Sequence, residues 1–358
     1  MSGSLEATVA RIAPADEAAA RAAAGRLEAK TKPPGSLGRL ETLACRLAAI
    51  RGQAPIAPLR PAIVVAAADH GVWDERVSPY PRSVTGQMVA NFARGGAAVA
   101  VLARQAGARL VVVDAGVERP PLDPPEGVRS AVVQGLRGTA NMAKGPAMPV
   151  AAAVELIERG VSLVDELATD GVELVAAGDM GIANTTAASA LCAALLPASP
   201  ATVCGPGTGL DDAGVARKAE VVRAALVANG VVPSAPIVDP LRALASVGGL
   251  EIAFLVGVIL GGAARRMPVV LDGFVTGAAA LVAAGLAPAS VDAMIAATLS
   301  PEPGHALLLD RLGLDPVLDL GLRLGEGSGA ALALPILASA VAILTEMATF
   351  ESAGVSRA

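Results

Sequence analysis

The chain has 358 residues, of which 53% are hydrophobic, 17% are charged and only 2% are aromatic. This composition excludes a disordered chain and supplies a core that must be built from Ala, Val, Leu and Ile. The formal net charge of −5 comes from scattered residues, without the basic stripe that nucleic-acid-binding proteins carry, so we expect no nucleic-acid partner.

Both ends of the chain show helical patterns without convincing strands. "RLETLACRLAAI" (39–50) and "HALLLDRLGL" (305–314) each place apolar residues at helical spacing. We predict that residues 1–55 and 305–358 pack together as a small helical lobe, and that residues 56–304 form the main α/β domain. The Ala-rich N-terminus carries interspersed charges and does not have the pattern of a signal peptide.

Between these ends, one pattern recurs: a β-branched apolar run stops at Asp or Gly, and small residues then open a helix. It occurs at residues 61–71, 108–117, 172–186 and 266–280, with a weaker fifth example at 200–214. Continuous apolar strands alternating with helices are typical of a parallel sheet that is covered on both faces. We therefore predict an α/β fold with a Rossmann-like, mostly parallel sheet, whose ligands bind at the carboxyl ends of the strands.

Two charge-free runs, 252–264 and 331–344, are shorter than the ~20 residues that cross a membrane, and we predict buried helices rather than spans. A homodimer interface and an internal core helix explain the apolar stretch 244–264 equally well. The three cysteines have no paired spacing, which favours a cytoplasmic protein without a disulfide framework. Only two histidines are present, so a His-rich metal centre is excluded and we expect no metal site.

Two Gly-rich loops predict a phosphate site. "GDMGIANTT" (178–186) follows a strand, and its Asn and Thr residues are good N-cap residues for a helix that would present free N–H groups. "CGPGTGLDDAGVARK" (204–218) is similar, and Lys218 would add a cation. Neither loop has the spacing of a P-loop or of a dinucleotide-binding loop, which favours a monophosphate or ribose-phosphate. A plain turn with a capped helix, and a solvated Lys218, remain the alternatives.

Two further stretches are open to a functional and a structural interpretation. "ADHGVWDERVSPYP" (68–81) clusters His70, Trp73 and Tyr80, which is compatible either with a pocket for a flat ligand or with a surface loop anchored by its aromatics. In "RLGEGSGAALALPIL" (323–337), the apolar run behind Glu326 would desolvate its carboxylate and make it a better base near neutrality. An exposed helix-capping glutamate fits this second stretch as well.

Seven motifs nevertheless occur together and in order: "KPPGSLGRLE" (32–41), "AADHGV" (67–72), "GDMGIANTT" (178–186), "GPGTGLDDAGVARK" (205–218), "GGLEIAFLVGVILGGAARRMPVVLDGF" (248–274), "EPGH" (302–305) and "RLGEGSGAALALP" (323–335). From about residue 32 to its C-terminus, the chain strongly resembles the nicotinate-nucleotide–dimethylbenzimidazole phosphoribosyltransferase family of cobalamin biosynthesis. It departs from many relatives at Asp179, where they have Glu, and at Pro206, where they have Arg.

The resemblance implies a reaction and a base. Nicotinate mononucleotide would donate its 5-phosphoribosyl group to 5,6-dimethylbenzimidazole with inversion, giving α-ribazole 5′-phosphate and nicotinate. Glu326, in the family's "GEG" motif, would be the catalytic base. The leaving pyridinium departs as a neutral ring and needs no general acid, so neither a metal nor another cofactor is expected. The family also implies a homodimer.

Further site residues follow from the same resemblance. Asp272, at the end of its predicted strand, and His70 are further candidates. The residues implied to hold the benzimidazole base are Ser78, Tyr80, Gln87 and Leu324. Those implied to hold the ribose phosphate are Asp179, Met180, Gly181, Ile182, Asn184, Thr185, Gly205, Gly207, Thr208, Gly209 and Lys218.

Three other functions are weighed against this one. A phosphoribosyltransferase could use another lower-ligand base, such as adenine or a phenol, and the sequence alone does not distinguish these acceptors. A non-catalytic nucleotide-binding homologue could keep both phosphate loops, but it would have no reason to keep Glu326. A Rossmann dehydrogenase is disfavoured because neither Gly-rich loop has dinucleotide spacing.

Overall fold

The four main strand patterns lie in one sheet in the computed structural model, which describes residues 2–118, 127–231 and 239–356. The described strands are β1 (Pro61–Ala68), β2 (Arg109–Gly116), β3 (Val128–Ser130), β4 (Leu174–Met180), β5 (Val269–Leu271) and β6 (Met294–Ala296). They pair in the order β3–β2–β1–β4–β5–β6, and every pairing is parallel. This is the strand order of a Rossmann-type doubly wound sheet, so the predicted fold is confirmed.

The predicted strands and the observed ones differ at the short elements. Strands β3 and β6 have three residues each and are not followed by the Asp-Gly that marks the equally short β5 in the sequence. The weak fifth pattern at 200–214 was wrong, because Pro200–Val203 form a one-turn helix that Ser199 caps, and a loop follows. Proline is favoured in the first turn of a helix, where its missing N–H is not needed.

Helices cover both faces of the sheet. They are α1 (Gly3–Ala10), α2 (Glu17–Glu28), α3 (Arg39–Arg51), α4 (Val84–Ala93), α5 (Ala98–Gln105), α6 (Val150–Thr169), α7 (Asn184–Leu195), α8 (Pro200–Val203), α9 (Asp212–Ala228), α10 (Pro240–Val247), α11 (Leu250–Ala264), α12 (Phe274–Leu286), α13 (Pro303–Leu312), α14 (Ser328–Glu346) and α15 (Phe350–Ala353). Two short 3₁₀ helices span Gly71–Glu75 and Pro288–Ala293.

Alternate residues of β1 point to two separate hydrophobic clusters. Ala62, Val64 and Ala66 pack with α6, α7 and α9 to α13, whereas Ile63 and Val65 pack with α2 to α5 and α14. Because side chains alternate between the two faces of a strand, a strand buried on both faces must be apolar throughout. This explains the uninterrupted run "AIVVAAA" in β1.

The helices of the two chain ends are divided between these layers. Helices α2, α3 and α14 pack against one another, as the predicted lobe requires. Helix α1 instead packs against α6 and α11 on the opposite face, and α13 packs against α8 and α12. The division of the chain at residues 55 and 305 therefore remains a prediction, for which only α2, α3 and α14 have the expected packing.

The run 252–264 forms a buried helix, as predicted, whereas the run 331–344 in α14 is buried along one side only, with Pro335, Ala338 and Ser339 exposed. The residues of α11 from Leu250 to Ala263 are all buried inside the subunit, against α6, α12 and the sheet. The stretch 244–264 is therefore core, and it offers no surface for a homodimer interface. Within the described ranges, α14 is the one helix long and apolar enough to cross a membrane, but it contains Pro335 and packs against α3 and α5.

Candidate active site

A cavity of about 320 Å³ opens at the carboxyl ends of β4, β5 and β6. Parallel strands bring these ends to one edge of the sheet, where ligands of such folds bind. The lining residues are Tyr80, Val84, Met88, Asp179, Met180, Gly181, Ile182, Asn184, Thr185, Gly207, Thr208, Asp272, Gly273, Phe274, Val275, Thr298, Ser300, Glu302, Leu322, Arg323, Leu324, Gly325, Glu326, Ser328 and Gly329. Residues from distant motifs of the sequence thus share one wall.

Glu326 lies in this wall on an unusual turn. Gly325, Glu326 and Gly327 have φ angles of 77°, 65° and 84°, all in the left-handed region that glycine tolerates and glutamate rarely adopts. The turn rests on β4 at Gly178, where a Cβ atom would lie 2.6 Å from Gly327 N. The Glu326 side chain is only 6% exposed, so the alternative of an exposed capping glutamate is wrong.

Three buried carboxyl groups meet at this end of the cavity. Burial, together with the neighbouring Asp272 carboxylate, raises the pKa of Glu326 to about 7. Burial also raises the pKa of Asp272 to about 6, against the opposing effect of backbone N–H donors. The pKa of Asp179 is raised well above its usual value by burial and by Asp272 and Glu251. The wall is therefore poised to take up protons near neutral pH.

The other end of the cavity is built from backbone and hydroxyl donors. Helix α7 begins at Asn184, and the residue before it, Ala183, provides no side-chain cap. Asn184 is therefore not the predicted N-cap; its amide donates instead to Asp179 Oδ2 at 2.8 Å. The uncapped N-terminus of α7 and the loop at Gly207 and Thr208 border the same space. Such an arrangement favours an anion.

Lys218 lies beneath this floor rather than in it. Its ammonium is fully buried and donates to Thr185 Oγ1 at 2.9 Å and to the Gly205 carbonyl at 3.1 Å. It also lies 4.0 Å from Glu302 Oε2. The solvated-lysine alternative is wrong, and Lys218 is not among the residues that line the cavity. Its charge acts on the cavity from below Thr185.

The opposite rim is apolar. Tyr80 and Leu324 are 49% and 54% exposed at the mouth, and Val84 and Met88 project from α4 one helical turn apart. Gln87 is exposed and does not line the cavity. Successive residues of a helix are rotated by about 100°, so Gln87 points away from the direction of Met88.

Ser78 and Trp73, two other candidates for this region, lie outside the cavity wall. Ser78 donates to or accepts from Thr208 Oγ1 at 3.0 Å, and so it touches the loop at Gly207 and Thr208. Trp73 Nε1 donates to the Tyr80 carbonyl at 2.8 Å, and the guanidinium of Arg82 stacks over the Trp73 ring. Trp73 therefore anchors the loop that carries Tyr80, as the structural alternative proposed.

His70 forms a buried pair with Glu251, with 2.8 Å between Nε2 and Oε1. The pair lies behind Gly181, where a Cβ atom would approach the His70 ring at 3.2 Å. His70 does not line the cavity, so its contacts support the structural interpretation. Within residues 2–118, 127–231 and 239–356, no group of three or more His, Cys, Asp or Glu side chains is arranged to hold a metal ion.

The chain is similar to known phosphoribosyltransferases over almost its whole length. A family model described as a phosphoribosyltransferase, DBI_PRT, matches residues 12–355. The nicotinate-nucleotide–dimethylbenzimidazole phosphoribosyltransferase of Desulforudis audaxviator (strain MP104C) is 52% identical over 355 residues, which are 99% of this chain and 98% of that protein. The chain belongs to this phosphoribosyltransferase family. The enzyme of the same name from Chloroflexus aggregans (strain MD-66 / DSM 9485) is 52% identical over 349 residues, 98% of this chain and 97% of the relative.

A solved structure agrees with the family assignment. The crystal structure of CobT from Thermus thermophilus has a TM-score of 0.88 and 46% identity, and the match covers 95% of this chain and all 100% of that one. The predicted resemblance is thus confirmed over the full α/β fold of this phosphoribosyltransferase.

Gly205 and Gly209, both predicted to hold the ribose phosphate, do not line the cavity, whereas one residue that the sequence did not indicate does. Glu302 does line it, and Glu302 Oε1 accepts the Gly207 N–H at 2.7 Å. Its segment is held by His305, whose Nδ1 accepts the Ser300 N–H at 2.9 Å. The motif "EPGH" was the available signal for Glu302, but nothing in it points to Gly207.

Proposed function

We propose that this protein transfers the 5-phosphoribosyl group of nicotinate mononucleotide to 5,6-dimethylbenzimidazole with inversion, giving α-ribazole 5′-phosphate and nicotinate for the lower ligand of cobalamin. This is the activity named for the family to which the chain belongs. The observation that carries the proposal is the pairing, within one cavity, of a buried carboxylate whose pKa lies near neutrality with the uncapped N-terminus of α7 and the hydroxyl groups of Thr185 and Thr208.

The two ends of the cavity suit the two substrates. The ribose phosphate would lie on the Gly181, Thr185 and Gly207 side, at the N-terminus of α7, where backbone N–H groups and the helix dipole favour negative charge. The flat acceptor base would lie between the apolar rim of Val84 and Met88 and the carboxyl end that holds Glu326. A mostly apolar cleft with a few convergent polar groups is the usual form of such sites.

Glu326 would act on the acceptor. The benzimidazole nitrogen that attacks C1′ forms the new N–C bond while Glu326 accepts the proton from the other ring nitrogen. The C1′–N bond to nicotinate breaks, and its electron pair neutralises the pyridinium ring. A base with a pKa near the working pH is best placed for such a transfer, and the contribution is typically about 10²–10⁴-fold.

A second carboxylate would stabilise the sugar. Positive charge develops at C1′ and the ring oxygen as the leaving group departs, as in glycoside hydrolysis. Asp272 borders the same space as Glu326, and negative charge held there before the reaction favours this transition state.

The activity is tested by incubating the purified protein with nicotinate mononucleotide and dimethylbenzimidazole, with the product resolved by mass spectrometry and its anomer assigned by NMR. Formation of α-ribazole 5′-phosphate supports the proposal. Preferential turnover of adenine or a phenol, in competition with dimethylbenzimidazole, would favour the alternative acceptor. Nucleotide binding without product would identify a non-catalytic homologue.

We also propose that the enzyme works in the cytoplasm as a homodimer, as the family resemblance implies. Its three cysteines are free, which suits a reducing compartment. Light scattering during size-exclusion chromatography measures the oligomeric state directly, and a monomer mass would contradict the dimer.

A further inference from the structure

Asp272 has an unusual set of partners for a residue in a substrate cavity. It follows directly on β5, is only 2% exposed, and uses both carboxylate oxygens on the start of α14. Gly327 N–H donates to Asp272 Oδ2 at 3.0 Å, and Ala330 N–H donates to Asp272 Oδ1 at 2.9 Å. At Gly329, a Cβ atom would lie only 2.9 Å from Asp272 Oδ1, so helix and carboxylate are in close contact.

These hydrogen bonds hold the turn that carries Glu326. Three successive residues in the left-handed region need support from the surrounding structure before a right-handed helix can begin. Glu326 in particular lacks the conformational tolerance of glycine, so its left-handed conformation is strained. Inside the turn, Ser328 Oγ donates to the Gly325 carbonyl at 2.7 Å. Asp272 supplies the support from outside, since it bonds the residue directly after Glu326 and the first turn of the helix that follows.

We propose that Asp272 is a positioning residue for Glu326, whose carboxylate clamps the 325–327 turn to the end of β5 and so directs the Glu326 side chain into the cavity. This inference rests on the proposed function, in which Glu326 is the base. It assigns Asp272 a task that is separate from any contact with the sugar.

The same carboxylate also sets the electrostatic surroundings of Glu326. The ionisable groups that border the cavity with Glu326 are Tyr80 before α4, Asp179 from β4, Asp272 directly after β5, Glu302 before α13 and Arg323 before α14. Of these, Asp272 is the one whose charge raises the pKa of Glu326, in addition to burial. Removal of the Asp272 charge therefore moves the ionisation of Glu326 to lower pH, whereas a change in turn geometry that leaves Glu326 buried does not.

The decisive variant is Asp272→Asn. The side-chain NH2 group of asparagine takes the place of one accepting oxygen and must face a backbone N–H donor, so one of the two hydrogen bonds is lost. We expect kcat to fall about 10–100-fold, since a displacement of about 1 Å at a reacting group costs this much. The KM for nicotinate mononucleotide should stay within about threefold, because the phosphate floor is built from other elements. The acid limb of kcat/KM should move down by about one pH unit as the neighbouring charge disappears.

Two further variants separate position from charge. Asp272→Glu keeps the charge but lengthens the side chain, so kcat should fall while the acid limb stays in place. Ser328→Ala removes the internal hydrogen bond of the turn and no charge; we expect a decrease in kcat of less than about tenfold and an unchanged acid limb. A crystal structure of Asp272→Asn should show Glu326 displaced from its left-handed conformation.

The proposal is overturned if Asp272→Asn retains the wild-type kcat and acid limb, or if it changes only the KM for the nucleotide, which would indicate direct substrate contact. If Asp272→Asn does not fold, Asp272→Glu decides the matter, since a wild-type kcat there would exclude a clamp. Failure of the base assignment has a different signature: Glu326→Gln would then be active, while the crystallographic displacement of Glu326 in Asp272→Asn would be unaffected.

Discussion

Replacement of Glu326 by Gln tests the base directly. Glutamine keeps the size of the side chain and can still accept hydrogen bonds, but it cannot take up the acceptor's proton. Loss of a positioned general base typically lowers turnover about 10²–10⁴-fold. Since each tenfold change corresponds to about 1.4 kcal/mol, we expect the barrier to rise by about 2.7–5.5 kcal/mol.

The pKa of Glu326 sets the pH at which this effect is visible. With a pKa of about 7, roughly half of the enzyme holds an ionised base at pH 7. In the wild type, kcat/KM should therefore fall about tenfold for each pH unit below the midpoint. The residual rate of the Glu326→Gln variant should not show this acid limb. A midpoint near pH 4.5, the usual value for a glutamate, would contradict the desolvated site.

The raised pKa of Glu326 also predicts how the stability of the fold depends on pH. A carboxyl group whose pKa is higher in the folded than in the unfolded chain binds more protons when folded, so its contribution to stability is greatest below about pH 4.5 and is lost as the pH rises through about 7. At pH 8 the Glu326→Gln variant should be more stable than the wild type by about 1–2 kcal/mol, a value reduced for partial solvent screening. At pH 5 the difference should be near zero.

Urea unfolding at the two pH values measures this difference, and product formation with both substrates at saturation measures kcat. Glu346, exposed at the far end of α14, the helix that follows the 325–327 turn, provides the matched control: Glu346→Gln should change neither quantity. Wild-type turnover in the Glu326→Gln variant would remove Glu326 from the mechanism. Reduced turnover with a lower stability at pH 8 would point instead to structural damage.

Three other substitutions test the surroundings of the site. Gly178→Ala places a methyl group 2.6 Å from Gly327 N, so the turn must shift; steady-state kinetics should show a decrease in kcat of at least about tenfold. Lys218→Met removes the buried ammonium beneath Thr185 at similar volume, and the KM for nicotinate mononucleotide should rise about 10–100-fold in the same assay. Met88→Ala widens the apolar rim, so the KM for dimethylbenzimidazole should rise about tenfold while that for the nucleotide changes less than about twofold.

The sheet was predictable from the sequence where a strand is long or, as in the three-residue β5, is followed by Asp-Gly and a helix. A strand that is buried on both faces needs an uninterrupted apolar run, and β1, β2 and β4, which are seven or eight residues long, each contain such a run. The three-residue strands β3 and β6 leave no such run, so their pairing is determined by neighbours in space. The packing of the N-terminal helices was unpredictable for a similar reason. Helical periodicity shows which face of α1 is apolar, but it does not show on which face of the sheet that helix packs.

Within the site, the features that depend on neighbouring residues in the sequence were predictable, whereas long-range contacts were not. Glycines beside Glu326 predicted close backbone approach, hydroxyl residues after β4 predicted an anion site, and residues of both groups line the cavity. The contact between Glu302 and Gly207 joins residues 95 positions apart, and no local pattern encodes it. Gln87 and Met88 differ by one helical position, which decides between solvent and cavity, and only the docking of α4 on the sheet resolves that choice.

The site is thus built from features that each oppose folding: buried carboxyl groups and a glutamate held in a left-handed conformation. Such features persist only where the surrounding structure imposes them, and here the two packed helical layers and the closely fitted glycines of β4 and α14 do so. A base with a pKa near 7 is a consequence of the same arrangement, because full hydration would return Glu326 to its ordinary acidity and a flexible turn would let it hydrate. Any change that relaxes the turn should therefore stabilise the fold at alkaline pH and weaken the base together, which links the two measurements proposed for Glu326.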